Sequence, residues 1–242
     1  MRGLEVLEAL AVSSGEEGVR LSDLAAKVDL DKATTARLVG TLCEAGYAFQ
    51  DVATRRYRLA GRVLALASQF EASLDLPKRA GSAISDLQKA VNETIHLGIR
   101  EGDHVIYIAK FETSRPVRIS SGIGQKNPLH STALGKAIMS AMSESERDEL
   151  IASLDLKLQT KNTISDGSEL RRDVARAAER GYSIDDRENE DSVVCVGAPI
   201  VNSAGRVIAA ISISGPAFRM SEKSDELGEL CSKTALEIGN LV

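Results

Sequence analysis

Residues 21–47 read LSDLAAKVDLDKATTARLVGTLCEAGY and predict two short helices joined by a tight turn. Apolar residues from Leu21 to Val28 recur at three- and four-residue spacing, which is the period of one helix face. Asp31 is suited to cap the second helix, because its carboxylate can accept hydrogen bonds from the free N–H groups at a helix start. Gly46 is suited to the left-handed conformation at the end of that helix.

The second helix has two chemically different sides. Its buried side is predicted to consist of Leu38, Val39, Leu42 and Cys43. Its outer side begins with Lys32, Thr34 and Arg37, whereas Thr35 shares the helical phase of Leu38 and is given a structural role first. A helix pair whose second helix opens with small, hydroxyl and basic residues is typical of a helix-turn-helix that reads DNA.

The residues around this helix pair complete a larger predicted unit. Leu4, Leu7, Leu10 and Ala11 mark a first helix, and residues 13–18 have the composition of a loop. Residues 47–50 and 56–59 alternate like two strands of a hairpin. No acidic residue occurs from position 52 to 69, so the hairpin tip with Arg55 and Arg56 forms a basic patch. The tip is either a solvated turn or a phosphate contact, and the neighbouring helix favours the contact.

The composition is that of a two-domain protein without a membrane segment. Of 242 residues 43% are hydrophobic but only 3% aromatic, so the cores must consist of Leu, Ile, Val and Ala. Residues 1–62 carry nine basic and nine acidic residues, which leaves the whole net charge of −5 to the remainder. No apolar run approaches the ~18 residues that span a bilayer. The three cysteines form no CxxC pair, so we expect a cytoplasmic protein with no metal site and no cofactor.

Three segments are predicted, with boundaries at 1–61, 62–76 and 77–242. The middle segment is a linker helix in which Val63, Ala67, Phe70 and Leu74 form a heptad-like seam; two heptads leave open whether it pairs with a second chain or packs on its own domain. The last segment is expected to be an α+β domain with an antiparallel sheet. Its predicted strands are 94–100, 105–111, 117–121, 193–201 and 207–214, and its predicted helices are 131–142, 145–154, 168–180 and 222–241.

The loop that leads into the helix at 131–142 is a candidate anion site. A helix start offers unpaired N–H groups and the positive end of the helix dipole. Thr132 either adds a hydroxyl to this site or only caps the helix. Gly135 within the helix costs ~1 kcal/mol relative to Ala, so we expect some group to approach its backbone closely.

Three other positions leave two interpretations open. Ser212 and Ser214 alternate with isoleucines, so both hydroxyls lie on one side of a strand, either as a polar outer face or as the floor of a pocket. Cys195, taken alone, is more simply a small core residue than a site, because free cysteine is usually buried.

Four segments in order resemble the IclR family of bacterial transcriptional regulators over essentially the full length. They are the helix pair with TRRYRLAG after it, PLHSTALGKA, DDRENEDSVVCVGAPI and AAISISGP. The resemblance implies a winged helix-turn-helix, a linker helix and a GAF-like effector-binding domain. It also implies a homodimer, often paired into a dimer of dimers, on a palindromic operator in double-stranded DNA.

The resemblance also implies two sets of site residues. On the DNA side they are Lys32, Thr34, Thr35 and Arg37 of the reader helix and Arg55 and Arg56 of the wing. The effector pocket is implied at Ile119, Thr132, Ala133, Leu134, Asp185, Val193, Cys195, Ser212 and Ser214. Relatives often have Gly-Ala in place of Ala133-Leu134, which narrows or reshapes the pocket here.

The favoured expectation is therefore a ligand-responsive transcription factor rather than an enzyme. The effector is expected to be a small organic acid, and aromatic, sugar-derived and short-chain acids all remain open. The alternative is a hydrolase with Cys195 as nucleophile, His130 as base and Asp185 as orienting acid. In that case the helix-turn-helix would have no purpose.

Overall fold

The computed structural model describes residues 2–13, 18–73 and 75–242, without the side chains of residues 70–73. The chain divides into two compact units, residues 1–74 and residues 75–242. Within the described ranges, no helix is both long and apolar enough to cross a membrane.

The first unit consists of helices around a small core, with a two-stranded hairpin. Its elements are α1 (Arg2–Ser13), α2 (Leu21–Lys27), α3 (Lys32–Glu44), β1 (Ala48–Gln50), β2 (Tyr57–Leu59) and α4 (Gly61–Ser73). The strands are antiparallel, with Ala48 opposite Leu59. The core comprises Val6, Leu10, Val19, Leu24, Val39 and Ala48. This is the predicted winged helix-turn-helix.

The start and end of α3 follow from its sequence. Asp31 accepts a hydrogen bond from the Thr34 amide at 2.9 Å, which is the predicted cap. Gly46 has a φ of +77°, in the left-handed region where a side chain would be strained. These two residues set the length of the helix and therefore which residues its outer side presents.

Three sequence predictions for this unit need correction or lie outside the described residues. The predicted first helix is present as α1, but of the residues that mark it only Leu10 is fully buried, together with Val6, while Leu4 is 63% exposed and Ala11 is also exposed. The predicted loop at 13–18 has residues 14–17 outside the described residues. In α4, Val63 is half-buried and Ala67 is exposed. The other two positions of the predicted seam, the side chain of Phe70 and the whole of Leu74, lie outside the described residues.

The second unit is built on a six-stranded antiparallel sheet. Its strands are β3 (Thr94–Glu101), β4 (His104–Phe111), β5 (Lys126–Pro128), β6 (Ser183–Asp186), β7 (Val193–Val201) and β8 (Val207–Pro216). They lie in the order β5-β4-β3-β8-β7-β6. Buried isoleucines, leucines and valines from both faces of the sheet supply the core, as the low aromatic content requires.

Helices cover both faces of this sheet. They are α5 (Asp75–Val91), α6 (Ala133–Ser140), α7 (Glu144–Ser153), α8 (Gly167–Arg180), the short α9 (Ala217–Met220) and α10 (Ser224–Gly239). Helices α5 and α10 pack on one face, and α6 lies on the other face with α8 and then α7 outside it. This arrangement is the predicted α+β domain with an antiparallel sheet.

The predicted strand at 117–121 is wrong, because the segment has no regular structure. Distant side chains take up its carbonyl groups instead: Arg219 donates to the Val117 oxygen at 3.0 Å and Lys110 to the Ser121 oxygen at 2.7 Å. The edge of β4 pairs with β5 instead, with His104 opposite Pro128. Strand β6, which pairs with β7, was not predicted.

Candidate functional site

The outer side of α3 presents unpaired basic groups. Lys32 and Arg37 are exposed and Thr34 is half-buried. Neither Lys32 nor Arg37 forms an ion pair with any residue in the described part of the chain. Their charges are therefore available to an external anion such as a DNA phosphate or to a base edge.

Thr35 lies on the opposite, packed side of α3. Its side chain is fully buried, and its hydroxyl donates to the Asp31 carbonyl at 2.9 Å. Contrary to what the resemblance implied, Thr35 is therefore not placed to contact DNA. Its burial and its hydrogen bond are those of a packing residue that stabilises the first turn of α3.

The two arginines of the hairpin tip differ in their surroundings. Arg55 is exposed and has a φ of +58°, at the end of a turn in which Asp51 accepts from the Thr54 amide at 2.7 Å. Arg56 instead donates to the Gly18 carbonyl at 2.9 Å, so its guanidinium already stabilises the unit internally. Of the predicted pair, only Arg55 has the surroundings of a free phosphate contact.

In the second unit, the nine predicted pocket residues surround one cavity. Its wall is formed by Tyr107, Ile119, Ser120, Ser121, Gln125, Thr132, Ala133, Leu134, Asp185, Asn189, Glu190, Val193, Cys195, Ser212 and Ser214. The free volume is about 30 Å³. This volume is enough to hold a water molecule in the ligand-free structure.

The start of α6 forms one end of the cavity. The Thr132 hydroxyl accepts from the Gly135 amide at 3.2 Å and donates to the Pro128 carbonyl at 2.8 Å, so it acts as the helix cap. Within the described residues, the amides of Ala133 and Leu134 donate no backbone hydrogen bond. These two N–H groups are the free donors expected at a helix start.

Close packing holds this helix start against the sheet. A Cβ at Gly197 would lie 2.9 Å from the Ala133 carbonyl carbon, so only glycine lets α6 approach β7 so closely. The Ser183 hydroxyl donates to the Ala133 carbonyl at 2.6 Å. The expected close approach at Gly135 is present as well: a Cβ there would lie 2.2 Å from the Leu129 oxygen.

The floor of the cavity is polar. Ser212 and Ser214 of β8 are each 2% exposed, with their hydroxyl oxygens 3.5 Å apart. Cys195 of β7 lies opposite Ser214 and also opposite Asp185 of β6. The structure thus places both serines on the pocket floor rather than on an outer face.

Asp185 is a buried carboxyl group beside that floor. It accepts from the amides of Glu188 at 2.8 Å and Asn189 at 3.3 Å. Burial raises its pKa to about 7, against the lowering effect of nearby Lys136. Asp185 is therefore protonated in part of the molecules at neutral pH, which reduces its repulsion of an anionic ligand.

A buried ion network lies directly behind Asp185 and was not predicted. Lys136 of α6 is fully buried and pairs with Glu188 at 2.5 Å and Asp173 at 2.8 Å. Burial alone lowers the pKa of Lys136, but the two carboxylates outweigh it and the pKa is raised. No local sequence pattern indicated this network, because Glu188 lies 52 residues after Lys136 in the sequence.

The residues of the alternative hydrolase are not assembled. His130 Nε2 donates to the Lys157 carbonyl oxygen, 3.0 Å away, and the ring lies outside the cavity wall. Burial raises the pKa of the Cys195 thiol well above its ordinary value, and the nearby Asp185 raises it further. A nucleophilic cysteine requires a lowered pKa and an adjacent base.

A winged helix-turn-helix joined to a domain with a partly polar cavity is the architecture of a DNA-binding regulator with an effector-binding domain. Residues 1–52 match the family model of the IclR helix-turn-helix domain, and residues 69–240 match that of the C-terminal domain of the bacterial transcriptional regulator IclR. The chain belongs to the IclR family.

Similar proteins support the same assignment. The chain is 32% identical over 219 residues to the transcriptional regulator KdgR of Dickeya chrysanthemi, covering 90% of this chain and 72% of KdgR. It is 32% identical over 238 residues to the repressor AllR of Salmonella typhi, covering 98% and 87%. The crystal structure of Thermotoga maritima IclR superposes with a TM-score of 0.79 at 29% identity, covering 98% and 97%.

A further solved structure shares the fold. The IclR homologue of Microbacterium hydrocarbonoxydans superposes with a TM-score of 0.81 at 24% identity, covering 98% of this chain and 96% of that one. That protein was crystallised in complex with 4-hydroxybenzoate.

Proposed function

We propose that this transcriptional regulator is not an enzyme, binds a palindromic operator as a dimer or dimer of dimers, and responds to a small organic acid. Lys32, Thr34 and Arg37 read the major groove, and Arg55 fastens the adjacent backbone. The observation that carries the proposal is the meeting of the nine predicted residues around one buried polar cavity.

The chemistry of the cavity favours a carboxylate. The free amides at the start of α6 and the hydroxyls of Ser212 and Ser214 are hydrogen-bond donors for an anion. Asp185 with a pKa of about 7 can be neutral when the anion binds. The small free volume supports acids of few atoms, and the 4-hydroxybenzoate bound by the Microbacterium homologue supports an aromatic acid.

Ligand control of DNA binding follows if the acid prefers one of two dimer arrangements. The two recognition helices of a dimer must contact half-sites that lie ~34 Å or a multiple apart. A change in the distance between these helices therefore prevents both from contacting the operator at the same time. The acid shifts the population only by its differential affinity for the two arrangements.

A thermal-shift screen of small organic acids, followed by operator titration, tests this proposal. An acid at about 100 times its dissociation constant should stabilise the effector-binding unit by roughly 2.7 kcal/mol. The same acid should change operator affinity. If no acid in a broad panel stabilises the protein, the proposed effector class is wrong.

Replacing Arg37 with Ala is expected to weaken operator binding by ~1–3 kcal/mol, because a base contact of this kind contributes that much. Lys161→Ala removes the same charge from an exposed position in the other unit and serves as the control. Gel-shift titration at fixed salt measures both. Equal affinity of the two variants would show that Arg37 does not contact the operator.

Replacing Arg55 with Gln is expected to weaken binding to all DNA sequences about equally. A lost phosphate contact should reduce the salt dependence of log K by about one. Titrations of specific and unrelated DNA at several salt concentrations measure this slope. A changed base preference with an unchanged slope would mean that Arg55 reads sequence instead.

Carboxylate binding is expected to weaken as pH rises through about 7, the pKa of Asp185. Below this pH Asp185 is neutral, and above it two negative charges meet, so affinity should fall roughly tenfold between pH 6 and pH 8. Asp185→Asn should make the affinity independent of pH in this range. Isothermal titration with 4-hydroxybenzoate, pyruvate and related acids measures it, and an unchanged pH profile in the variant would contradict the role of Asp185.

A further inference from the structure

His96 lies behind the cavity wall, and its imidazole lies within hydrogen-bonding distance of two hydroxyl groups of that wall. It belongs to β3, one of the two central strands, and is 1% exposed. Its Nε2 lies 2.8 Å from the Ser121 hydroxyl and its Nδ1 lies 3.4 Å from the Ser214 hydroxyl. One imidazole therefore connects the irregular segment 113–125 to the floor of the cavity.

The ring is held in place and is uncharged. It stacks on Tyr107, with the ring centres 4.3 Å apart and the planes 22° from parallel. Burial, and then the charge of Lys110, lower its pKa to about 3. A neutral imidazole has one N–H donor and one acceptor nitrogen, so its two hydroxyl partners cannot both be acceptors or both be donors toward it.

The two tautomers give the floor opposite hydrogen-bonding character. With the proton on Nδ1, Ser214 accepts from His96 and keeps its own proton for a ligand. With the proton on Nε2, Ser214 donates to His96 and presents only lone pairs to the cavity. An anion needs the first state, and then Ser121 donates to Nε2.

We infer that His96 is a positioning residue for the ligand, which it orients by setting the donor direction of Ser214 while holding Ser121 over the floor. This inference rests on the proposed organic-acid function. It assigns the ligand a specific chemistry: a hydrogen-bond acceptor, such as a carboxylate oxygen, directed at Ser214.

Ser121 has a second attachment that makes the inference testable. Lys110 donates to its carbonyl oxygen at 2.7 Å, independently of the side chain. The Gly124 amide also donates to the Tyr107 carbonyl at 2.8 Å, and the Tyr107 amide donates to the Gln125 carbonyl at 3.1 Å. The backbone of segment 113–125 therefore keeps several connections to β4 when His96 is replaced. A change in ligand affinity is then attributable to Ser214 rather than to collapse of the wall.

The test compares His96→Phe with His96→Asn in the full chain, with 4-hydroxybenzoate and pyruvate as probes. Phe keeps a ring for stacking on Tyr107 but has no hydrogen bond, whereas Asn keeps a donor near Nδ1. We expect the Phe variant to lose affinity at least about tenfold and the Asn variant to stay within about threefold. Equal affinity of the Phe variant and wild type would overturn the inference.

Two further measurements complete the test. Imidazole ¹⁵N spectra of wild type should show the Nδ1–H tautomer of His96 in the complex, and the opposite tautomer would overturn the inference. In the ligand-free protein, hydrogen exchange of residues 117–124 should be faster in His96→Phe than in wild type. An unchanged exchange rate would contradict the inference that His96 holds Ser121 over the floor. If wild type binds neither acid, this result counts against the organic-acid proposal alone. The exchange measurement would still show whether His96 holds Ser121 in place.

Discussion

Gly135→Ala is expected to destabilise the effector-binding unit by more than about 3 kcal/mol, although the same change normally stabilises a helix by ~1 kcal/mol. The added Cβ would lie 2.2 Å from the Leu129 oxygen and 2.4 Å from its Cα. Both atoms belong to the backbone of the loop that leads into α6. They cannot move aside without displacing that loop, so the cost exceeds that of ordinary overpacking.

Gly81→Ala is the matched control, since Gly81 is also inside a helix of this unit but has no atom within 4 Å of an added Cβ. Urea unfolding, with hydrogen exchange to separate the two units, measures both variants. The control should be neutral or slightly stabilised. Equal stability of the two variants would mean that the loop at Leu129 yields easily and does not fix the start of α6.

Lys136→Met is expected to cost about 3–5 kcal/mol, because it leaves a buried carboxylate without its partner. Asp173 keeps Arg176, whose Nη2 lies 2.9 Å away, so the uncompensated group is Glu188. Burial already raises the pKa of Glu188 in the presence of Lys136, and removal of the cation raises it further. A carboxyl with a raised folded-state pKa loses stability as pH rises, so the deficit should be larger at pH 8 than at pH 5.

The measurement is urea unfolding of wild type and variant at both pH values. Adding Glu188→Gln to Lys136→Met removes the stranded charge and should restore part of the lost stability at pH 8. A deficit that does not depend on pH and does not respond to the second substitution would assign the effect to packing around Lys136 rather than to charge.

Local sequence signals were sufficient for much of the fold. The cap at Asp31, the glycine at 46 and the apolar spacing between them predicted α3, because each acts within a few residues. Helical phase alone gave Thr35 its structural role. The cavity residues came from the family resemblance, since nothing local distinguishes Asp185 or Cys195 from a turn residue and a core residue.

The features that sequence reasoning missed depend on distant partners. The guanidinium of Arg56 donates a hydrogen bond to the carbonyl of Gly18, which lies 38 residues earlier. Residues 117–121 form no strand because Lys110 and Arg219 take up carbonyl groups there. The role of His96 depends on Ser214, 118 residues away. Periodicity and spacing carry no information about such pairs.

In the middle of the sheet β3 pairs with β8, with Thr94 opposite Ser214. Because the polypeptide leaves the ribosome from its N-terminus, the DNA-reading unit, whose contacts are local, can fold while β8 is still being synthesised. Pairing of such distant strands is intrinsically slow, since a long loop must close first. We therefore expect the two floor serines to join the sheet last, so that a chain interrupted before β8 would contain the complete helix-turn-helix unit without the floor of the cavity.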